Sequence, residues 1–217
     1  MIVLMRDTVS TVTRVDTRRD ELVAAGVRVL GRLGYERMRL RDVANEAGVS
    51  IGLLQHYFEA REQLVQECFA AACGKRAQDF ADSAPSDGLA WERISQMIDY
   101  AFDAAAIRKR ASMWVDLCAA AGRSPKLRGE AVRVQDVWRT PLAAAIADGE
   151  ASGEFKIRLG ANATAETLLA LVDGTEVAAT IGGRKFEPDT LRVATLEIAR
   201  HLLGISAPER SKRRRRR

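Results

Sequence analysis

The sequence predicts an all-α chain built as two helical units, and three observations carry that expectation. Apolar residues recur three and four apart along most of its length, the spacing of helices with a buried face. Aromatic residues make up only 6% and long polar–apolar alternations are absent, which disfavours a β-rich protein. Between residues 40 and 58 two short apolar patterns meet at a glycine, as in a helix, a tight turn and a second helix. These features predict an N-terminal three-helix helix-turn-helix domain followed by a C-terminal helical bundle, about nine helices in all. With 217 residues, 47% of them hydrophobic, the chain can bury a core in each unit.

Residues 1–16 mix apolar, hydroxyl and charged side chains without a period and read as a flexible arm, with Met5 as an alternative start and Arg6 or Arg14 able to reach a polyanion. Thr17 then opens the first helix, with Asp20 as its capping-box partner and Leu22, Ala25, Val29 and Leu33 on one face. Gly34 closes it. Arg18 and Arg19 near its start read as exposed, with phosphate contact as the second reading. Leu40, Val43, Ala44 and Ala47 mark the next helix, Gly48 its left-handed stop, Val49 a buried plug and Ser50 the N-cap of the third helix. Leu54 and Phe58 turn inward, so Ile51, Gly52, Leu53, Gln55, His56 and Tyr57 are left for the remaining surface, a poor solvated face. A helix-turn-helix of this size lays its second helix in the DNA major groove; an ordinary helical hairpin is the plainer alternative that spacing alone allows.

The run from Thr17 to Leu64 resembles the DNA-binding domain of TetR-family transcriptional repressors. The residues that carry the likeness are Leu33, Gly34 and Tyr35; Arg41, Asp42, Val43 and Ala44; Ala47, Gly48, Val49 and Ser50; Gly52; His56, Tyr57 and Phe58; and Arg61, Glu62 and Leu64. The resemblance implies a DNA contact for Arg41 and phosphate contacts for Tyr57 and Arg61. Two departures stand out. Family members carry a Thr pair where this chain has Met38 and Arg39, so the hydroxyl cap is missing and Arg39 stands in by charge. Ile51, Leu53 and Gln55 replace a more polar set: the first two can touch a thymine methyl, while Gln55 can pair with adenine and Arg41 with guanine. The expected DNA-binding set is therefore Arg39, Arg41, Ser50, Ile51, Gly52, Leu53, Gln55, Tyr57 and Arg61. His56 is expected to pack or hydrogen-bond within the domain and not to work as an acid or base.

A long helix from Glu62 to about Phe80 links this domain, residues 17–64, to the next, residues 65–205, and a break follows at Ser83 to Gly88. Trp91, Ile94, Met97, Ile98, Ala101 and Phe102 form one stripe; Met113, Trp114, Leu117 and Cys118 form another. A helix over about 127–152 contains Pro141, which predicts a kink. Core packing is the plain reading of the aromatic and methionine side chains. The sharper one is a ligand cavity lined by Trp91, Met97, Phe102, Met113, Trp114, Cys118 and Trp138, suited to an unknown small-molecule effector such as a quaternary amine or a hydrophobic compound. The last two helices, about 161–182 and 188–203, complete the bundle. The first is apolar over more than one face and needs cover from a second subunit. The segment 149–183, with Ser152, Gly153, Glu154 and Phe155 and later Leu171, Val172, Asp173 and Gly174, resembles the C-terminal domain of a TetR subgroup that includes regulators of choline metabolism. That likeness implies a homodimer through the last two helices.

Charge and cysteine content narrow the function. The formal net charge is +5, but residues 212–217 alone supply six positive charges, leaving the rest near neutral. Residues 206–217 read first as a solvated basic tail and second as an arm that adds salt-dependent, sequence-independent affinity for phosphates. Cys68, Cys73 and Cys118 are odd in number and sit among apolar residues, so they read as buried thiols in a reducing compartment, not as a metal site. Neither a signal segment nor a membrane span is visible, which predicts a cytoplasmic protein. GxxxxGK, HExxH and CxxC are all absent, so an enzyme, a metal and a cofactor are not expected. The expectation is a sequence-specific, ligand-released repressor that binds a palindromic double-stranded operator as a homodimer; the alternative is a constitutive or architectural DNA-binding protein.

Overall fold

A computed structural model describes the backbone of residues 4–83, 88–182 and 187–205. Among the described residues there are nine helices and no strands: α1 (Leu4–Leu33), α2 (Leu40–Ala47), α3 (Ile51–Tyr57), α4 (Arg61–Asp82), α5 (Ala90–Ala101), α6 (Ala104–Ala121), α7 (Pro125–Ala151), α8 (Ala161–Ile181) and α9 (Pro188–Leu202). None of them is long and apolar enough to cross a membrane. The chain divides into two compact units. The first holds α1 to α3, α4 as far as Asp79, α6, α7 as far as Val137 and the end of α8 from Glu176. The second holds the end of α4, α5, the rest of α7, α8 up to Thr175, and α9. The basic tail lies outside the described residues.

The first unit is organised around α1. Leu22, Ala25 and Val29 are buried, as the sequence predicts, whereas Leu33 is only half-buried and Leu30 is buried in addition; the helix begins at Leu4 and not at Thr17. Residues 4–16 contain neither Gly nor Pro, so nothing in them stops a helix extending back from the capping-box pair. Only residues 1–3 of the expected arm lie outside the described backbone. Helix α1 packs on α2, and α2 on α3. Gly48 ends α2 at φ 67°, and its amide is satisfied by the Asn45 carbonyl. Val49, expected as a buried plug, is only half-buried, because its neighbours on both sides, Gly48 and Ser50, are exposed at the turn.

Helices α1 and α4 meet closely at Gly26. A Cβ there would fall on the Cys68 Sγ and lie 3.5 Å from Leu64 Cδ1. The Cys68 thiol donates to the Val23 carbonyl at 3.7 Å, and burial, then the charge of Glu67, pushes its pKa up to about 12. It is therefore an inert packing thiol. The other two cysteines correct the sequence reading: Cys73 is half-buried and Cys118 exposed, since each sits at the edge of its helix's apolar stripe.

The second unit has one core. Ile94, Met97, Ile98 and Ala101 of α5 pack with Phe80, Phe102, Leu142, Ile146, Phe155, Leu168, Val172, Ala199 and Leu203. Helix α7 runs through Pro141. Residue Leu89 at the N-terminus of α5 has no capping side chain. Glu154 supplies the cap from elsewhere in the chain, its two carboxylate oxygens accepting from the Ala90 and Trp91 amides at 2.8 Å each. This places a negative charge at the positive end of the helix dipole. Phe155 donates its amide to the Gly149 carbonyl at 2.9 Å, and Lys156 donates to Leu203 O at 2.9 Å. The segment Glu154 to Lys156 thus ties α5, α7 and the C-terminal end of α9 together.

Two stability predictions follow from these contacts. Gly26→Ala should destabilise the protein by roughly 1 kcal/mol or more, because overpacking outweighs the gain in helix propensity. In a Cys68→Ala background the same change should become neutral or stabilising, and a double-mutant cycle by urea denaturation reads the sign change. Glu154→Ala should cost about 1–2 kcal/mol, with Glu154→Gln intermediate; equal midpoints for all three would show that the cap does not stabilise α5.

Candidate nucleic-acid interface

Helix α3 separates its side chains cleanly. Leu54 and the following Phe58 are completely buried, while Ser50, Ile51, Gly52, Leu53, Gln55 and His56 are exposed and Tyr57 is half-buried. Ile51 keeps 47% and Leu53 37% of its surface open to solvent. The Ser50 Oγ accepts from the Leu53 amide at 3.2 Å, so its hydroxyl caps the helix as predicted. His56 does not pack inside the domain; it is exposed and meets Tyr57 edge to face. On α2, Arg41 is exposed, and neither it nor Gln55 has a hydrogen bond or ion pair among the described residues.

The start of α2 has no hydroxyl cap, as the sequence indicates. The Asp42 carboxylate accepts from the Arg39 amide at 2.9 Å, which is half of a capping box. A guanidinium cannot accept, so Arg39 turns its Nη1 to the Glu36 carbonyl at 2.8 Å and the Met38 carbonyl at 3.3 Å. Arg28 and Arg32 of α1 clasp Glu46 of α2 at 2.8 and 3.1 Å, and their hydrogen bonds hold its carboxyl below the usual carboxylate range.

Two arginines brace the motif in ways the sequence did not reveal. Arg19, read as exposed, is half-buried at the far end of α3. Its Nε and Nη2 grip the Glu67 carboxylate at 3.0 and 2.5 Å, its Nη1 donates to the Tyr57 carbonyl at 3.0 Å, and its guanidinium lies 4.7 Å from the Phe58 ring centroid. One side chain of α1 thus joins the C-terminus of α3 to α4. No signal in the sequence marks a partner 48 residues away.

Arg61, expected on phosphate, directs its guanidinium inward. It donates to the Met38 carbonyl at 2.8 Å and to the Tyr35 carbonyl, and stacks 4.5 Å from the Tyr35 ring. The carbonyls of the turn ahead of α2 need donors, and a planar fork at the first turn of α4 supplies two. The same turn is held from α6: Asp116 accepts from the Tyr35 amide at 3.2 Å, and Arg123 pairs with Glu36 at 2.7 Å.

The seven residues expected to line a ligand cavity do not fall in one unit. Met97 and Phe102 are buried in the core of the second unit, with Trp91 and Trp138 packed against it. Trp138 stacks 4.5 Å from Phe80 and 6.3 Å from Tyr100, so Phe80 and Tyr100 belong to the aromatic cluster; Tyr100 lies three residues after Met97, a helical spacing that could have shown it. The Arg200 guanidinium covers the Trp91 ring at 4.4 Å. Met113, Trp114 and Cys118 lie on α6 in the first unit. A Cβ at Gly31 of α1 would lie 3.8 Å from Met113 Cε, which shows that Met113 faces α1.

Removing the brace at the end of α3 should be measurable. Arg19→Ala should cost roughly 1–2 kcal/mol of stability and lower hydrogen-exchange protection at the Leu54 and Phe58 amides. Arg19→Lys should restore little of either, because lysine cannot repeat the fork. Unchanged protection in Arg19→Ala would show that α3 does not depend on it.

Comparison with known proteins accounts for both halves of the chain. Residues 22–68 match the model of bacterial regulatory proteins of the tetR family, and residues 90–204 match that of BetI-type transcriptional repressors, C-terminal. The HTH-type transcriptional regulator BetI of Cronobacter sakazakii is 26% identical over 203 residues, covering 88% of this chain and 93% of its own. BetI of Rhizobium meliloti is 31% identical over 112 residues, covering 51% and 55%. Among solved structures, a TetR-family regulator from Rhodococcus superposes with a TM-score of 0.75 at 25% identity, over 86% of this chain and 99% of that one. A transcriptional regulator from Saccharomonospora viridis in complex with choline superposes with a TM-score of 0.76 at 22% identity, over 86% and 97%. The chain therefore belongs to the TetR family, with a BetI-type C-terminal region, and is a DNA-binding transcriptional regulator, not an enzyme.

Proposed function

We propose that this regulator is a homodimeric repressor that a small molecule releases from a palindromic operator. The observation that carries the proposal is α3: a capped, braced helix whose exposed surface holds Gln55 and two apolar side chains, next to an uncommitted Arg41 on α2. In this reading Gln55 pairs with adenine, Arg41 with guanine or phosphate, and Arg39 and Tyr57 flank the backbone. Arg61 acts by holding the turn ahead of α2 and not by touching phosphate, as its internal bonds suggest. Residues 17–64 serve DNA, and 65–205 serve ligand and dimer, a division that the two matched ranges support.

Two exposed seams support dimerisation through α8 and α9. Ala163, Thr167, Ala170, Gly174, Val177 and Ile181 are all exposed and alternate four and three apart along α8, with small residues at three of the positions. Leu191, Ala194, Ile198 and His201 repeat the pattern on α9. Such a seam is what a packed helix pair buries, and a two-fold axis would set the two α3 helices about 34 Å apart, one turn of DNA. For the effector we favour a quaternary ammonium compound. Aromatic rings of the kind that bind such cations, Tyr100 and Trp138, lie partly buried against the second unit's core, and a similarly folded regulator holds choline. Trp91 is less suited, because Arg200 already occupies its face. Binding need only favour one of two states, and α4 and α6, which grip the turn ahead of α2, are suited to pass the difference on. Such a repressor would act in the cytoplasm.

Fluorescence anisotropy on an operator chosen from random duplexes tests the whole reading. Gln55→Ala and Arg41→Ala should each cost roughly 1–3 kcal/mol and relax discrimination at single base pairs, whereas Arg61→Ala should weaken all duplexes alike. Val177→Glu with Ile181→Glu should yield monomers by light scattering and abolish half-site coupling. Choline should weaken operator binding; if neither it nor apolar compounds do so, a constitutive regulator is the better account.

A further inference from the structure

We infer that Ile51 and Leu53 read the C5-methyl groups of pyrimidines in the major groove, so that the regulator discriminates methylated from unmethylated C5 positions, thymine or 5-methylcytosine against uracil or cytosine. The inference rests on α3 being the DNA-reading helix and specifies what it reads. Ile51 and Leu53 occupy the first turn of α3 and are 47% and 37% exposed, although Leu54 and Phe58 on the same helix are fully buried. The first turn offers little competing polar side chain. Gly52 has none, and the Ser50 hydroxyl accepts from the Leu53 amide at 3.2 Å, which fixes it as the helix cap and leaves its single O–H to donate. Aliphatic side chains cannot pair with donors or acceptors on base edges, and the C5 methyl is the apolar group that the major groove offers them.

The surroundings fit duplex DNA better than another protein. No acidic residue lies on α3, and Arg41 of α2 is exposed and unpaired among the described residues. Two side chains separated by a glycine are also too little apolar surface for a stable protein interface. Gln55 follows Ile51 by four residues, so the two side chains stand on one face about 5–6 Å apart. That distance spans one to two base-pair steps at about 3.4 Å each. A methyl read by Ile51 and an adenine edge read by Gln55 would thus fall within neighbouring base pairs.

The test uses the intact protein and its best selected duplex. Each thymine is replaced in turn by deoxyuridine, which removes the methyl group and leaves every hydrogen-bonding group in place. Affinity should fall about fourfold at each contacted position, the loss expected for one buried methyl, and remain unchanged elsewhere. Ile51→Ala should abolish the response at one position and Leu53→Ala at another, while Gln55→Ala leaves both. Where the selected site holds cytosine at such a position, 5-methylcytosine should tighten binding by a similar factor. If the protein still selects its duplex but no deoxyuridine substitution weakens it, methyl reading is overturned and the helix-turn-helix reading stands. If it selects no duplex at all, the proposed function itself fails.

Discussion

A helix of seven residues cannot hold itself together, since nucleation costs more than so few hydrogen bonds return. Helix α3 exists because its cap, its buried side chains and a brace from α1 and α4 hold it. Ser50 closes its first turn, Leu54 and Phe58 anchor its inner side, and Arg19 of α1 takes its last carbonyl while gripping Glu67 of α4. The side chains that would read bases are largely separate from those that hold the domain: Arg41 and Gln55 have no hydrogen bond or ion pair among the described residues, and Ile51 and Leu53 are exposed. That separation leaves Ile51, Leu53 and Gln55 free to vary, and a regulator could change its operator without endangering its fold.

The turn between α1 and α2 follows the same logic. Its carbonyls at Tyr35 and Met38 are taken by Arg61 of α4, its amide at Tyr35 by Asp116 of α6, and Glu36 by Arg123 just beyond α6. Helix α2 begins where this turn ends, and α3 follows α2 after the three-residue connection Gly48 to Ser50. A small change in the relation of α4 to α6 therefore bears on the six-residue turn Gly34 to Arg39, which leads into the whole motif. Packed elements of this kind switch between arrangements and do not bend continuously, so the geometry is suited to a two-state response.

Much of what depended on local spacing could be read from the chain, though not the start of α1 or the burial of Val49, and what depended on distant pairing could not. The glycine stop at Gly48, the Ser50 cap and the inward pair Leu54 and Phe58 all involve residues within a turn or two of one another, and each lies where periodicity indicates. The missing hydroxyl cap at Arg39 was legible for the same reason. By contrast, Arg19 and Arg61 looked like surface cations ready for phosphate, because an arginine's partner is not encoded next to it. Glu154 is the converse case: a charged residue in a turn, unremarkable locally, that caps a helix starting 64 residues earlier. The aromatic and methionine residues showed that cores exist but not how they divide, so Met113, Trp114 and Cys118 were grouped with Trp91 and Trp138 although α6 packs in the other unit.

Exposed apolar side chains on α3 and on α8 and α9 differ in extent. Along α8 and α9 the exposed positions repeat over whole helices, and in the proposed dimer they would pack against their own copy. On α3 there are only Ile51 and Leu53, too few to drive association between proteins or to promote aggregation while the protein is off DNA. Each methyl contact is weak, and a single α3 would discriminate poorly. In the proposed dimer, joining two copies through the larger seams would make the second half-site an intramolecular event, so that modest selectivity at each half-site would multiply into a usable one. On that reading the weak, easily altered contacts of α3 and the seams of α8 and α9 would require one another: without a dimer, the reading helix would have too little to read.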